Sequence, residues 1–485
     1  MKVIFVTPEF APIVKAGGLG DVSAALPRAL ARLGVEVRVL MPGYAAALAA
    51  VGDAPEVAAL AATAGLPGAT LREARLADGL RMWLIDAPEL YRRDGGPYGD
   101  AAGRDWPDNA RRFALLARSA AELGSERSPL PWRPDVVHLN DWQTALAAAF
   151  LHFDPARRAA ALVTIHNLAF QGNFDPALVT ELGLPASCFT IDGVEFYGRF
   201  SFLKAGLVYA DALTTVSPTY AREIQTEAFG CGLHGLLHAR RDALHGLLNG
   251  IDTALWNPAT DPLIARRYDA DTLDAKVENK RALAERLGLQ FAGDAPLFGA
   301  IGRLTEQKGF DLLIAAAPAL IDAGASLVVL GQGEAALQAA LTDLARRFPR
   351  RVAVVVGYDE TLAHGIEAGA DAFVMPSRFE PCGMNQMYSQ AYGTPPIVRA
   401  TGGLADTVVD CTPHTLAEGT ASGFVFADAS VDALGAALRR ACAIYADRAT
   451  WRQLQRNGMR RDFGWEASAR GYLGLYERIA AARRP

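Results

Sequence analysis

Cysteine is scarce and scattered. The 485 residues hold five cysteines, Cys188, Cys231, Cys382, Cys411 and Cys442. The number is odd, and there is no C-x-x-C pair and no Cys/His cluster, so neither a disulfide framework nor a structural zinc site is expected. A reducing cytoplasm fits best. Long apolar runs are also missing. None reaches the roughly 18 residues that a membrane helix needs. The apolar start Lys2–Val6 is cut by Pro8 and Glu9 before it can serve as a signal-peptide core. No membrane partner is therefore expected. Positive charge is not in excess: 48 Lys and Arg face 53 Asp and Glu, a formal net charge of −5. Such a balance gives no global pull toward nucleic acid. What the chain does have is apolar substance. With 51% hydrophobic and 21% charged residues it can bury a sizeable core, which excludes wholesale disorder. At roughly 150 residues per domain, the length suits two large domains or three small ones.

Short apolar runs alternate with helical patterns along the chain. Strands are expected at Lys2–Val6, Val35–Leu40, Arg81–Ile85, Val136–Leu139, Leu162–Ile165 and Ala212–Thr215, with a helix over Asp21–Leu33 that stops at Gly34. The Ala-rich stretch Ala45–Ala64, broken by Gly52, Asp53, Pro55 and Glu56, reads as a soluble helical excursion. The same rhythm restarts at Pro296–Gly302 and continues through Ser326–Leu330, Arg351–Val356, Ala372–Met375 and Pro396–Val398. Near-continuous apolar strands between helices indicate parallel sheets buried on both faces, here as two doubly wound α/β domains. The Asn249-Gly250 turn within Leu247–Asp252 marks the join. The expected division is 1–248, 249–460, and a C-terminal helix in 461–485 packing back toward the first domain, with helical pattern over Glu466–Arg484.

Open parallel sheets bind ligands where their strands end. After the first strand comes Lys15-Ala16-Gly17-Gly18-Leu19-Gly20-Asp21. It lacks the spacing of the dinucleotide fingerprint, yet its glycines let a ligand approach the backbone at a helix start, unless the turn is packed for its own sake. In the second half Arg303 and Lys308 span a strand end and the next helix start. Both can reach one anion there, or stand as a solvated pair. Ser377-Arg378-Phe379-Glu380-Pro381-Cys382-Gly383-Met384-Asn385 also follows a strand. Glu380 lies between an aromatic and a proline, as a group with partners or as a helix-end charge. The N–H groups of Gly383, Met384 and Asn385 can cradle phosphate, while Cys382 reads as a packed thiol with no base beside it. His138-Leu139-Asn140-Asp141-Trp142 and Thr164–Gly172, the latter with His166 and Asn167, mix polar and aromatic groups in a way that suits sugar, although a lone histidine is often structural. Tyr358 can stack on a nucleobase or edge the core. Gly402-Gly403-Leu404 opens another helix, and Gly331-Gln332-Gly333 is a weak signal that fits a plain turn.

Taken in order, Lys15-x-Gly17-Gly18-Leu19, His138-x-x-Asp141-Trp142, Thr164–Leu168, Leu248–Asp252 with Trp256-Asn257-Pro258, Gly302-Arg303-Leu304-x-x-x-Lys308-Gly309 and Pro376–Gly383 resemble the bacterial glycogen synthases and plant starch synthases over essentially the whole chain. The resemblance implies the two-Rossmann-domain, GT-B type of retaining glycosyltransferase with its active site in the interdomain cleft, acceptor glucan on the first domain and nucleotide-sugar donor on the second. It implies transfer of glucose from ADP-glucose to the non-reducing end of an α-1,4-glucan such as glycogen, with no metal and no cofactor. Starch synthases carry transit peptides, and this chain starts directly with its first strand, so the bacterial enzyme is the closer likeness. Carried over residue by residue, Arg303 and Lys308 match the diphosphate pair, and Glu380 matches the essential acid that binds the transferred glucose. His166 would lie against that glucose, with Asp141 and Asn167 near it and Asn249 facing the sugar. Gly17 and Gly18 would let the donor approach, beside Lys15. Tyr358 would stack on adenine, Tyr98 would occupy a donor-loop position, and Cys382, Gly383, Met384 and Asn385 would line the phosphates. Two departures stand out: Met384-Asn385 where the family has Leu-Thr, and Gly464 where a serine is common.

A double displacement would need a second carboxylate on the face opposite the acid. Related transferases with an E-x7-E pattern place one where this chain has Tyr388. Same-face substitution, with the leaving phosphate taking the acceptor proton, is therefore the expected route. The alternatives are a related transferase using UDP-glucose or another acceptor, a phosphorylase-like enzyme, and a non-catalytic nucleotide-sugar sensor, which would be marked by loss of Arg303, Lys308 or Glu380.

Overall fold

The computed structural model describes residues 1–290 and 294–483. The chain divides into two compact units, one of Met1–Asn249 with Trp465–Pro485 and the other of Gly250–Gly464. Both are α/β. No helix among the described residues is long and apolar enough to cross a membrane.

The first unit is built on β1 (Lys2–Val6), β2 (Glu36–Pro42), β3 (Glu56–Leu60), β4 (Ala69–Arg75), β5 (Arg81–Asp86), β6 (Val136–Asn140), β7 (Ala160–Ile165), β8 (Asn173–Phe174), β9 (Glu195–Phe196), β10 (Arg199–Ser201), β11 (Ala212–Thr215) and β12 (Leu244–Gly246). Nine of them form one sheet in the order β12-β11-β7-β6-β1-β2-β5-β4-β3. The seven strands from β12 to β5 run parallel, and β4 and β3 add an antiparallel edge. Val3, Ile4, Phe5 and Val6 are all 0% exposed, as a central strand covered on both faces requires. Each such side chain contributes about 1.5–3 kcal/mol by leaving water. A separate small sheet, β8-β10-β9, lies on the connection after β7.

Two expectations need correction here. Ala45–Ala64 is not one helical excursion. A helix covers only Ala45–Val51, and Glu56–Leu60 is strand β3, paired antiparallel with β4. The ladder of the sheet edge outweighs the modest helix preference of alanine. The first helix also begins earlier than expected. It spans Gly18–Arg32, which makes Gly17 its N-cap and places Gly18 in its first turn.

The second unit carries a six-stranded parallel sheet of β13 (Leu297–Ile301), β14 (Ser326–Gly331), β15 (Val352–Val356), β16 (Ala372–Met375), β17 (Pro396–Arg399) and β18 (Phe424–Phe426), ordered β15-β14-β13-β16-β17-β18. The order reverses at β13, so the ends of β13 and β16 flank a topological switch point. Apolar clusters cover the two faces, one including Phe310, Leu313 and Leu341, the other Leu362, Ile366 and Leu404.

The closing helix, Trp465–Ala481, belongs to the first unit. Tyr476 of this helix bonds His138 of β6 (Oη to Nδ1, 2.7 Å), and Tyr472 packs on the same imidazole. The helical pattern read as far as Arg484 extends past this helix, and Arg484 itself lies outside the described residues.

Candidate active site

In the first unit the site residues gather at the carboxyl ends of β1, β6 and β7. The glycine loop is held from below by Glu9, a 3% exposed carboxylate just beyond β1. Glu9 Oε2 accepts the N–H groups of Ala16 (2.7 Å) and Gly17 (3.0 Å), and Oε1 accepts the Tyr98 hydroxyl. Burial, reinforced by the charge of Glu9, pushes the Tyr98 phenol well above its usual range, so it stays a donor. Gly17 has open space where a Cβ would stand, and the helix it caps has no side-chain cap. Gly17 and Gly18 are exposed, so the backbone N–H end faces a free surface. Lys15 pairs with Asp21 at 2.8 Å. Glu9 was missed by sequence reasoning. Its only signal was a carboxylate placed directly after an apolar strand.

Asp141 and His166 form a second group. Asp141 caps the helix Trp142–Phe153 with φ of 57°, a left-handed conformation rare outside glycine. Its Oδ1 accepts His166 N–H at 2.6 Å, with Asn167 N–H at 3.4 Å. Burial pushes the Asp141 carboxyl up to about 7, partly offset by these backbone donors. Asn140 Nδ2 donates to Val6 O at 2.9 Å, which turns Asn140 Oδ1 toward His166 Nε2 at 3.0 Å. The ring therefore carries its proton on Nε2 and keeps the Nδ1 lone pair for a ligand hydroxyl. Burial pushes His166 down to about 3, so the imidazole is neutral at any physiological pH. It can accept a hydrogen bond from a sugar, and it cannot act as a proton donor from an imidazolium. Asn167 folds its own Oδ1 onto Ala169 N–H. Asn249 is 7% exposed, and its buried Oδ1 has no hydrogen-bond partner among the described residues. His138, in contrast, is a core residue: it is 0% exposed, bonded to Tyr476 and Thr164, and lies outside this group.

In the second unit the loops after β13 and β16 come together. Lys308 Nζ donates to Glu380 Oε2 at 2.5 Å, and Ser377 Oγ donates to the same oxygen at 3.1 Å. Glu380 is only 5% exposed, so this carboxylate has partners, as its odd sequence setting suggested. Arg303 is exposed on the same β13 loop. Gly309 lets that loop approach, since a Cβ there would stand 2.1 Å from Pro376 O. Gly402, with φ of +42°, and Gly403 do the same on the other side. Their Cβ atoms would fall 1.9 Å from Glu380 O and 2.1 Å from Cys382 O. The glycine pair is thus a backbone contact that fixes the Glu380 loop. Gly331 and Gly333 are likewise contacts, against Gly302 O and Leu304 O, and not a phosphate loop. Gly383 has φ of +71°, and Met384 caps the helix Asn385–Ala391 without a side-chain cap. Asn385 Nδ2 ties that helix start to Ile301 O at 2.9 Å. Cys382 is a buried thiol. Tyr358 is 73% exposed after β15, its hydroxyl turned to Glu360 and its ring free to stack.

Two cations on the loop after β13, at the switch point of one Rossmann-type unit, and an exposed glycine turn with a neutral histidine on the other fit the pattern of a GT-B glycosyltransferase, and the comparisons place the chain in that class. Residues 2–239 match the family described as "Starch synthase catalytic domain", and residues 284–458 match "Glycosyl transferases group 1". Glycogen synthase of Nitrosospira multiformis is 54% identical over 488 residues, covering 100% of this chain and 98% of that protein. Glycogen synthase of Dechloromonas aromatica is 55% identical over 484 residues, covering 100% and 99%. Among solved structures, the catalytic domain of starch synthase IV from Arabidopsis thaliana, bound to ADP and acarbose, superposes with a TM-score of 0.86 at 34% identity over 99% of each chain. Sucrose-phosphate synthase from Thermosynechococcus elongatus shares the fold at 19% identity and a TM-score of 0.62. The chain belongs to the glycogen and starch synthase family.

Proposed function

We propose that this protein builds glycogen, transferring glucose from ADP-glucose to the non-reducing end of an α-1,4-glucan with retention at the anomeric carbon. The observation that carries this reading is the Lys308–Glu380 pair, with Arg303 on the same loop as Lys308, in a chain of this family. Lys308 and Arg303 offset the charge that grows on the departing ADP, and such electrostatic stabilisation is usually the main source of rate enhancement. They take the place that a divalent metal holds in other nucleotide-sugar enzymes. Glu380, held by Lys308 and Ser377, receives glucose hydroxyls. Tyr358 takes the adenine ring, while the N–H groups of Gly383, Met384 and Asn385 take phosphate. In the first unit, His166 accepts a sugar hydroxyl at Nδ1, and Asp141 holds the His166–Asn167 turn in place. Lys15, Gly17 and Gly18, with Tyr98 and Asn249, complete the donor contacts.

Same-face substitution fits the residues better than double displacement. At position 388, where a second carboxylate would stand, the side chain is a buried tyrosine stacked on Trp256 at 3.9 Å, with its hydroxyl on Met384 Sδ. The acceptor hydroxyl attacks carbon 1 as the bond to ADP breaks, and its proton passes to the departing phosphate oxygen. The test is donor competition, with kcat/KM measured for ADP-glucose and UDP-glucose on glycogen. A clear preference for ADP-glucose is expected. Preference for UDP-glucose would keep the chemistry and overturn the donor. A glucosyl–enzyme adduct trapped by mass spectrometry would overturn the route.

A further inference from the structure

The loop that starts at His166 runs on into the surface sheet β8-β10-β9, and the loops that flank its strands expose apolar side chains which none of the roles above uses. Phe170 is 51% exposed, Tyr197 80% and Ile191 81%. Single exposed apolar residues are ordinary, and these three differ in lying on loops tied to one small sheet.

The element is firmly built. Lys204, 7% exposed, sends its ammonium to the carbonyls of Ile191 and Glu195, fixing the loop that leads into β9. At the other end, Leu203 N–H and Ser201 Oγ both donate to Gln171 O, at 3.1 and 3.3 Å, and Phe202 N–H donates to Gly172 O at 3.0 Å. The hairpin is therefore sewn to the loop that begins at His166. Gln171 Nε2 reaches Cys231 O at 2.9 Å and brings the turn at 231–232 alongside. Tyr197 sits at the hairpin tip with φ of 47°, a backbone state that glycine or asparagine would occupy at lower cost. Its ring packs edge-on against Phe196 at 4.7 Å and lies so close to Gly232 that a Cβ there would stand 3.1 Å from it. A strained backbone thus presents an aromatic ring to solvent on a rigid base, a combination that marks functional positions.

We infer that Phe170 and Tyr197 form a stacking lip for the acceptor, taking the apolar faces of glucosyl units that lie inward from the non-reducing end. This rests on the reading that the protein extends an α-glucan. The occupant follows from chemistry and continuity. Successive rings of an α-1,4-glucan offer flat C–H faces, aromatic rings bind such faces while leaving hydroxyls wet, and the lip continues from the loop that carries His166. The lip serves long acceptors only, because a short one ends before reaching it.

The test compares the wild type with Phe170→Ala, Tyr197→Ala and the double variant, with folding checked by thermal melting and with Tyr197→Phe as the conservative control. KM is measured for glycogen, for maltotriose and for ADP-glucose, and maltoheptaose binding is measured by calorimetry without donor. The double variant should raise the glycogen KM roughly tenfold, the scale of two lost ring contacts. The maltotriose and ADP-glucose KM values should move less than about twofold on the same scale, maltoheptaose affinity should fall in parallel, and Tyr197→Phe should restore it. Unchanged glycogen KM and maltoheptaose affinity would overturn the lip while leaving the transferase reading intact, and would hand the patch to a protein partner. Maltoheptaose binding that depends on the lip, in a protein that transfers no glucose from ADP-glucose, would overturn the transferase reading and keep the lip.

Discussion

Replacing Lys308 by methionine keeps the length of the side chain and removes its charge. The structure shows one duty of this charge, and the proposed function gives it a second. It faces Glu380 Oε2 at 2.5 Å, with the lysine side chain 21% exposed and the glutamate 6%. Removing one partner of a buried pair costs about 3–5 kcal/mol, because the other charge stays behind. Here solvent reaches part of the lysine and Ser377 still donates to the same oxygen, so the cost should be nearer 2–3 kcal/mol on that scale. The second duty, under the proposed function, is catalytic. Loss of one preorganised donor facing developing charge lowers kcat roughly 10²–10³-fold. Glu380→Gln added to Lys308→Met separates the two: with both charges gone, most of the stability should return and the rate should not. The assay is steady-state kinetics with ADP-glucose alongside thermal melting of the single and double variants. A fall in kcat of less than about tenfold in Lys308→Met would refute the catalytic duty. A double variant no more stable than the single one would refute the pairing argument.

Further outcomes follow from other parts of the site. Tyr358→Ala should raise the KM for ADP-glucose roughly tenfold or more, since base–aromatic stacking is worth about 1–3 kcal/mol; Tyr358→Phe should change little, because the hydroxyl is turned to Glu360. Asp141 titrates near 7 in the fold against about 3.8 when unfolded, so its buried carboxyl costs stability progressively as pH rises from about 4 to 7, then no further. Asp141→Asn, which retains an oxygen for His166 N–H, should gain on the wild type in melts at pH 8 relative to pH 4, by at most about 4 kcal/mol; a difference that does not change with pH would contradict the burial argument. Gly402→Ala should destabilise the second unit by several kcal/mol, roughly 3 or more, because its Cβ would fall 1.9 Å from Glu380 O; a normal melt with full activity would contradict the close approach.

The parallel strands could be read from the sequence because each is a short apolar run buried on both faces, and β1 and β6 lie where the runs lie. Strand β3 could not. Glu56–Leu60 is an edge whose partner β4 supplies the structure that its own alanines do not signal. The β8-β10-β9 sheet was hidden for a related reason: strands of two or three residues are too short to show a period. Glu380 and Lys308 declared themselves by standing just past strand ends, although only the fold shows that they bond each other across 72 residues. His138 drew notice in the same motif as Asp141, yet its partner is Tyr476, 338 residues away, and no local pattern reports such a contact. Glu9 escaped because its partners are backbone N–H groups and a tyrosine 89 residues on.

The most direct test of the central claim is incorporation of labelled glucose into glycogen from ADP-glucose by purified protein in EDTA, run beside Lys308→Ala. The account predicts robust incorporation that EDTA does not reduce and that the variant largely loses. No incorporation by the wild type while ADP still binds would contradict it, and would leave a protein that holds the nucleotide without performing the transfer.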